Sequence, residues 1–240
     1  RQLETAAVNS LEVLSEFPSV VVKVNGKEIW RGGAPLPTLF RSGFVAFDAP
    51  VSVEKLEIAG GGHQGGILAF GDSITHHCRW QDTVGKLAGL EIGNGGMACD
   101  DTINARKRLE SDVIALRPDL VLLLLGTNNS SATQAMTDLK YIIRRLRSAR
   151  INVIVCTILP RPQPERAVKL NQLLRQYCRQ EQILLHDWYE VMNDGNGNMK
   201  KEYGGGVHPN TRGIEVMARS FIEDPVVKKF ILQSTERKDK

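Results

Sequence analysis

Four short clusters in this chain hold residues able to do chemistry: Gly71-Asp72-Ser73, Asn94-Gly95-Gly96-Met97, Gly126-Thr127-Asn128-Asn129 and Val207-His208-Pro209-Asn210. Between them they supply a hydroxyl nucleophile, a glycine whose amide can approach a ligand closely, a side-chain amide donor and an imidazole base. Acyl transfer needs these parts, because a base must take the attacking hydroxyl's proton and preorganised donors must meet the tetrahedral oxyanion. No cluster is decisive alone. Asp72 or Ser73 would equally cap a helix, Asn128 would serve as a turn residue after Gly126, and a single histidine before proline reads as a satisfied loop side chain.

The elements that would bring these clusters together are apolar strands. Ile67 to Phe70, preceded by Gly65 and Gly66, reads as a buried strand of a parallel sheet, and Ser73 follows it at a strand-to-helix turn. Further strands are predicted at 90–93, 119–125, 151–158 and 182–186. Apolar residues at helical spacing lie between and after them: Trp80, Val84, Leu87 and Ala88; Ala105, Leu109, Val113 and Leu116; Met136, Leu139, Ile143 and Leu146; Leu170, Leu173, Leu174 and Tyr177; Ile214, Met217, Ala218 and Phe221. This alternation predicts right-handed crossovers and a doubly wound α/β sheet covered on both faces. In such a sheet the loops after the strands border one crevice, and helix amides there favour negative charge.

With these residues in view, the sequence resembles the SGNH hydrolases, also called GDSL-type esterases and lipases, from about residue 66 to 222. GDSIT matches their first block, NGGM the glycine block, GTNN the third and VHPN the last. The resemblance implies a three-layer α/β/α, flavodoxin-like fold with a five-stranded parallel sheet, and a serine esterase without metal or organic cofactor. It places the nucleophile on Ser73 and the base on His208. The oxyanion hole falls on the amides of Ser73 and Gly96 and on the side chain of Asn128. The implied partner is a small-molecule or carbohydrate ester, with acetyl esters as the first candidates.

Two positions depart from the family pattern. The aspartate usual three residues before the histidine is replaced by Gly205, within Tyr203-Gly204-Gly205-Gly206, and the third block reads GTNN where GTND is commoner. An orienting acid fixes the histidine tautomer and stabilises imidazolium, so its loss can cost about 10,000-fold. The Gly205 carbonyl, or Glu202 through a folded-back loop, would be the substitutes. The same glycine favours a competing reading, a non-catalytic binding module that keeps the fold and the crevice. A metal reading rests only on His76, His77 and Cys78, consecutive residues whose side chains rarely converge on one ion; lining the crevice is the alternative for them.

Ahead of the sheet, residues 3–17 carry a weak helical pattern, with Leu3, Ala6, Ala7, Leu11 and Leu14 at three and four spacing, so 1–17 is predicted as a helical segment. Residues 18–59 read as a small antiparallel β unit, with β-rich runs at 20–24, 28–31, 43–47 and 51–58 and Asn25-Gly26 as a hairpin signal. Residues 60–66 form a Gly-rich linker, 67–224 the main domain and 225–240 a C-terminal tail.

The 240 residues, 42% of them hydrophobic, suffice for one large domain with an appendage. The net charge of +4 is diffuse. Arg144, Arg145, Arg147 and Arg150 lie between apolar positions at helical spacing, a solvated helix face and not a nucleic-acid footprint. No apolar run reaches the length of a membrane span. Of the cysteines at 78, 99, 156 and 178, the last two fall on apolar faces as ordinary buried thiols. The chain starts at Arg1, a start compatible with a removed leader, so the sequence assigns no compartment.

Overall fold

The computed structural model describes residues 11–16, 19–24, 27–33 and 66–235. Two sheets account for most of the strands. The first is three-stranded and antiparallel, with β1 (Leu11–Glu16), β2 (Ser19–Val24) and β3 (Lys27–Gly33) in the order β1-β2-β3. Val24 stands opposite Lys27 across the predicted Asn25-Gly26 hairpin. The helix expected through residue 17 is not what Leu11–Glu16 forms: these residues pair along their whole length with β2, from Leu11↔Val24 to Glu16↔Ser19. A few apolar positions at helical spacing give little intrinsic helicity, whereas the β-branched run Val20-Val21-Val22 offers a full ladder of partners. Residues 1–10, the predicted strands 43–47 and 51–58, and the linker to residue 65 lie outside the described residues.

The second sheet is the predicted one. Strands β4 (Ile67–Gly71), β5 (Ile92–Gly96), β6 (Leu120–Leu124), β7 (Asn152–Cys156) and β8 (Leu184–His186) lie parallel in the order β5-β4-β6-β7-β8. The chain winds from β4 to β5 on one side and returns to β6 on the other, so the topological switch point falls on β4, the strand that leads into Ser73. Strand residues alternate between two cores. Leu68, Phe70, Val121 and Leu123 face α3 (Thr102–Asp112), α4 (Ala132–Ser148) and α5 (Glu165–Gln180). Ile67, Ala69, Leu122 and Leu124 face α2 (Trp80–Ala88), α6 (Trp188–Met192) and α7 (Thr211–Glu223), where Trp80, Trp188 and Phe221 pack together. Cys156 and Cys178 are buried.

Two boundaries differ from expectation. Strand β5 continues through Asn94, Gly95 and Gly96, so the glycine cluster is itself strand. Gly96 is the residue that fits there, since a Cβ would collide with the backbone nitrogen of His76. The expected tail forms α8 (Pro225–Thr235), started by Asp224 Oδ1 accepting from the Val226 and Val227 amides and anchored by buried Val227 and Ile231, one turn apart on one face.

Candidate active site

Strand β4 ends at Gly71, and the chain turns at once into the short helix α1 (Ser73–His76). Asp72 caps it, its Oδ1 accepting from the Ile74 amide at 3.0 Å. Ser73 is the first helical residue, so its N–H has no intrahelical acceptor and remains available for a ligand. The Ser73 hydroxyl lies 2.9 Å from His208 Nε2 across 135 residues of sequence. The histidine is delivered by a two-residue antiparallel pair, β9 (Gly204–Gly205) with β10 (His208–Pro209), in which His208 faces Gly205. Asn210 then caps α7 through the Gly213 amide at 2.9 Å, fixing the far end of this loop.

Among the described residues no group bonds the second ring nitrogen of His208. Glu202 offers only its carbonyl to the loop, accepting from Asn210 Nδ2 at 3.1 Å. Among the described residues the serine and histidine therefore form a pair without a carboxylate behind it.

Asp72 is fully buried beside the serine, and its carboxyl is raised from 3.8 to about 6. Burial is the main cause, and the Asp100 charge adds to it. The Ile74 amide pulls the other way, as do the backbone and side chain of Thr127.

The oxyanion candidates separate on inspection of their hydrogen bonds. Asn128 Nδ2 donates to Asp100 O at 2.8 Å, which joins the loop after β6 to the loop after β5; the second amide hydrogen has no acceptor among the described residues. Gly96 stands beside Gly71 in the β4–β5 register, but its N–H donates to Asn94 Oδ1 at 2.9 Å and its carbonyl lies 3.2 Å from His76 Nδ1. That amide is already engaged. Beyond it, Cys99 adopts a left-handed conformation with φ 59°, in a turn closed by Asp100 N donating to Met97 O at 3.2 Å. The Cys99 N–H has no partner among the described residues. The sequence carried no glycine at this left-handed position to draw attention to it.

Arg108 also escaped the sequence reading, although its spacing from buried Ala105 and Leu109 marks it as inward-facing. Its Nε and Nη2 donate to Asp100 Oδ2 at 2.8 and 2.6 Å, Nη1 to Gly95 O at 3.0 Å and Nη2 to Gly71 O at 3.1 Å. One guanidinium thus ties together the ends of β4 and β5 and the turn that carries Cys99. Asn129, the departure in the third block, accepts from Thr102 N at 3.2 Å and donates to Thr102 Oγ1 at 2.8 Å, while Thr102 Oγ1 donates to Asp138 at 3.1 Å. An amide suits this chain of bonds, because a carboxylate at 129 would compete with Asp138 for the single hydroxyl proton.

His76 and His77 stack edge to face beside the serine, and among the described residues no three His, Cys, Asp or Glu side chains gather as a metal site. No helix of the described residues is long and apolar enough to cross a membrane.

Residues 69–216 match the GDSL-like lipase/acylhydrolase family. The chain belongs to that family. It is 32% identical over 123 residues to the platelet-activating factor acetylhydrolase IB subunit alpha1 of Rattus norvegicus, covering 45% of this chain and 52% of the relative. The chain thus spans about half the length of that curated relative. A GDSL-like lipase of Bacteroides thetaiotaomicron superposes with a TM-score of 0.61 at 21% identity, over 68% of this chain and 88% of that one. The acetyl xylan esterase AlAXEase does so with a TM-score of 0.56 at 20% identity, over 66% of this chain and 98% of the other. These likenesses show the shared fold.

Proposed function

We propose that the protein is a serine esterase that hydrolyses a short-chain acyl ester through an acyl-enzyme on Ser73. The observation that carries the reading is the 2.9 Å contact between the Ser73 hydroxyl and His208 Nε2 at the switch point of the sheet. His208 takes the proton as Ser73 Oγ attacks the carbonyl carbon, and returns it to the departing alcohol. A water activated by the same imidazole then cleaves the acyl-enzyme. The developing oxyanion is met by the Ser73 amide, the free Asn128 amide hydrogen and the Cys99 amide, which takes the place foreseen for Gly96 because the Gly96 N–H is engaged by Asn94. These proton transfers are complete without a metal or organic cofactor.

Acetyl is the acyl group we favour, and carbohydrate a candidate alcohol. Support comes from the relatives named for acetylhydrolase and acetyl xylan esterase activity. The competing reading, a binding module on the same fold, is favoured by the second nitrogen of His208, which has no partner among the described residues. Hydrolysis of an activated acetate ester by the natural protein and by Ser73→Ala separates the two. We expect turnover in the first and near-background rates in the second; background rates in both would leave the binding module.

A further inference from the structure

The loop after β7 and the first turn of α5 bring two arginines to the rim of the crevice. Arg161 Nη1 donates to Thr127 O, and Arg166 Nη1 donates to Asn129 O at 2.7 Å, so the two guanidiniums sit on the carbonyls on either side of Asn128. Both side chains are half-buried. Where other arginines of the chain are half-buried, they are matched with acids, as in Arg145 with Glu110 and Arg175 with Asp187. No described carboxylate lies within ion-pair distance of Arg161 or Arg166. Arg161 Nε is moreover a buried donor without a partner among the described residues. Each guanidinium spends one N–H on a carbonyl and keeps the others, in the planar fork that suits carboxylate and phosphate oxygens.

Two like charges held side by side and partly desolvated repel each other. Burial, then the neighbouring Arg166 charge, pulls the Arg161 pKa down. An anion between them would relieve the repulsion and use the idle donors. In the strand order, β7 lies beside β6, whose loop carries Asn128, and β4 with Ser73 lies on the other side of β6. A ligand reaching from Ser73 past Asn128 arrives at this pair. With a short acyl group on the serine, the part of the substrate that extends so far is the alcohol.

We infer that Arg161 and Arg166 form a subsite for an anionic group, carboxylate or phosphate, on the alcohol portion of the substrate. The inference deepens the esterase reading and takes the reaction from it. The chemistry selects an ester whose alcohol carries a negative charge a few bonds from the scissile oxygen.

The test compares 4-acetoxybenzoate with its uncharged methyl ester, in the natural protein and in Arg166→Gln. The readout is the ratio of the two KM values, because loosening the Asn128 loop would slow both esters alike. We expect KM for the anionic ester to be lower by about tenfold. That preference should fall toward unity in Arg166→Gln and shrink with added salt in the natural protein. The same ratio in both proteins would overturn the subsite and leave the arginines as clamps on the loop. A second measurement needs no turnover: inorganic phosphate or benzoate should raise the melting temperature of Ser73→Ala and have no such effect after Arg166→Gln is added. A protein that cleaves neither ester but is stabilised by these anions in this way keeps the subsite and loses the esterase reading. One that cleaves both esters equally and ignores the anions keeps the esterase and loses the subsite.

Discussion

Arg108 Nη2 stands 2.6 Å from Asp100 Oδ2, with both side chains buried, and this ion pair holds the turn between β5 and α3 against the ends of two strands. Removing one member strands the other as an uncompensated buried charge. Arg108→Met should therefore destabilise the protein by about 3–5 kcal/mol, read from urea unfolding. The loss should be partly reversed when Asp100→Leu is combined with it. A change below about 1 kcal/mol would mean that solvent reaches Asp100 and that the turn is held by other bonds.

Asn128 joins two loops through one amide hydrogen and keeps the other for a ligand. Asn128→Ala should lower kcat about 100-fold, with KM little moved, the typical cost of one oxyanion donor. The lost bond to Asp100 O adds about 1 kcal/mol of destabilisation. Unchanged turnover with a lower melting temperature would reduce Asn128 to a loop tie.

How much of this was legible in the sequence follows from where each residue finds its partner. Ser73 and Asn128 directly follow strands of the sheet and His208 lies just before a helix, so the alternation of apolar runs was enough to predict them at one crevice, and Ser73 and His208 do meet. The bonds of Arg108, Arg161 and Arg166 were not legible, because their partners are mostly backbone carbonyls from distant strand ends and loops, and a carbonyl leaves no trace in residue type. Gly96 looked right as a glycine, but its amide direction is set by Asn94 Oδ1, a bond that sequence spacing does not reveal. Leu11–Glu16 was misread because a strand's identity depends on its neighbour, here β2, more than on its own pattern.

Asp72 links the site to pH. Its carboxyl is raised from 3.8 to about 6, chiefly by burial, so the folded protein holds this proton where the unfolded chain has released it. The contribution is fully present below the unfolded value and is lost as pH rises through about 6. The loss amounts to roughly 3 kcal/mol. Asp72→Asn keeps an oxygen for the Ile74 amide and has no charge to bury. Relative to the natural protein, it should therefore gain stability between about pH 4 and pH 7. Parallel stability curves for the two proteins across that range would show that Asp72 ionises freely where it stands.

The last prediction concerns Gly205, which stands where the family usually carries an aspartate, and His208, whose second ring nitrogen has no partner among the described residues. Gly205 faces His208 across the short antiparallel pair, at a spacing where opposed Cβ atoms lie about 5 Å apart. A Cβ built on Gly205 meets nothing within 4 Å, and its φ lies outside the left-handed range that Gly204 and Gly206 occupy at 153° and 65°. An aspartate therefore enters without backbone strain and within reach of the free ring nitrogen. It would orient the imidazole and stabilise the imidazolium formed as Ser73 attacks. Gly205→Asp should raise kcat/KM about tenfold, some 1.4 kcal/mol, well short of a full triad contribution because the loop was not shaped around a carboxylate. A negative neighbour favours protonated histidine, so the acidic limb of the pH–rate profile should move to higher pH. Both changes are read from one set of pH-dependent rates on an acetate ester, with circular dichroism to establish that the variant is folded. A folded Gly205→Asp protein with the same or lower kcat/KM and an unmoved profile would mean that the aspartate does not engage His208, and that the pair works as it stands.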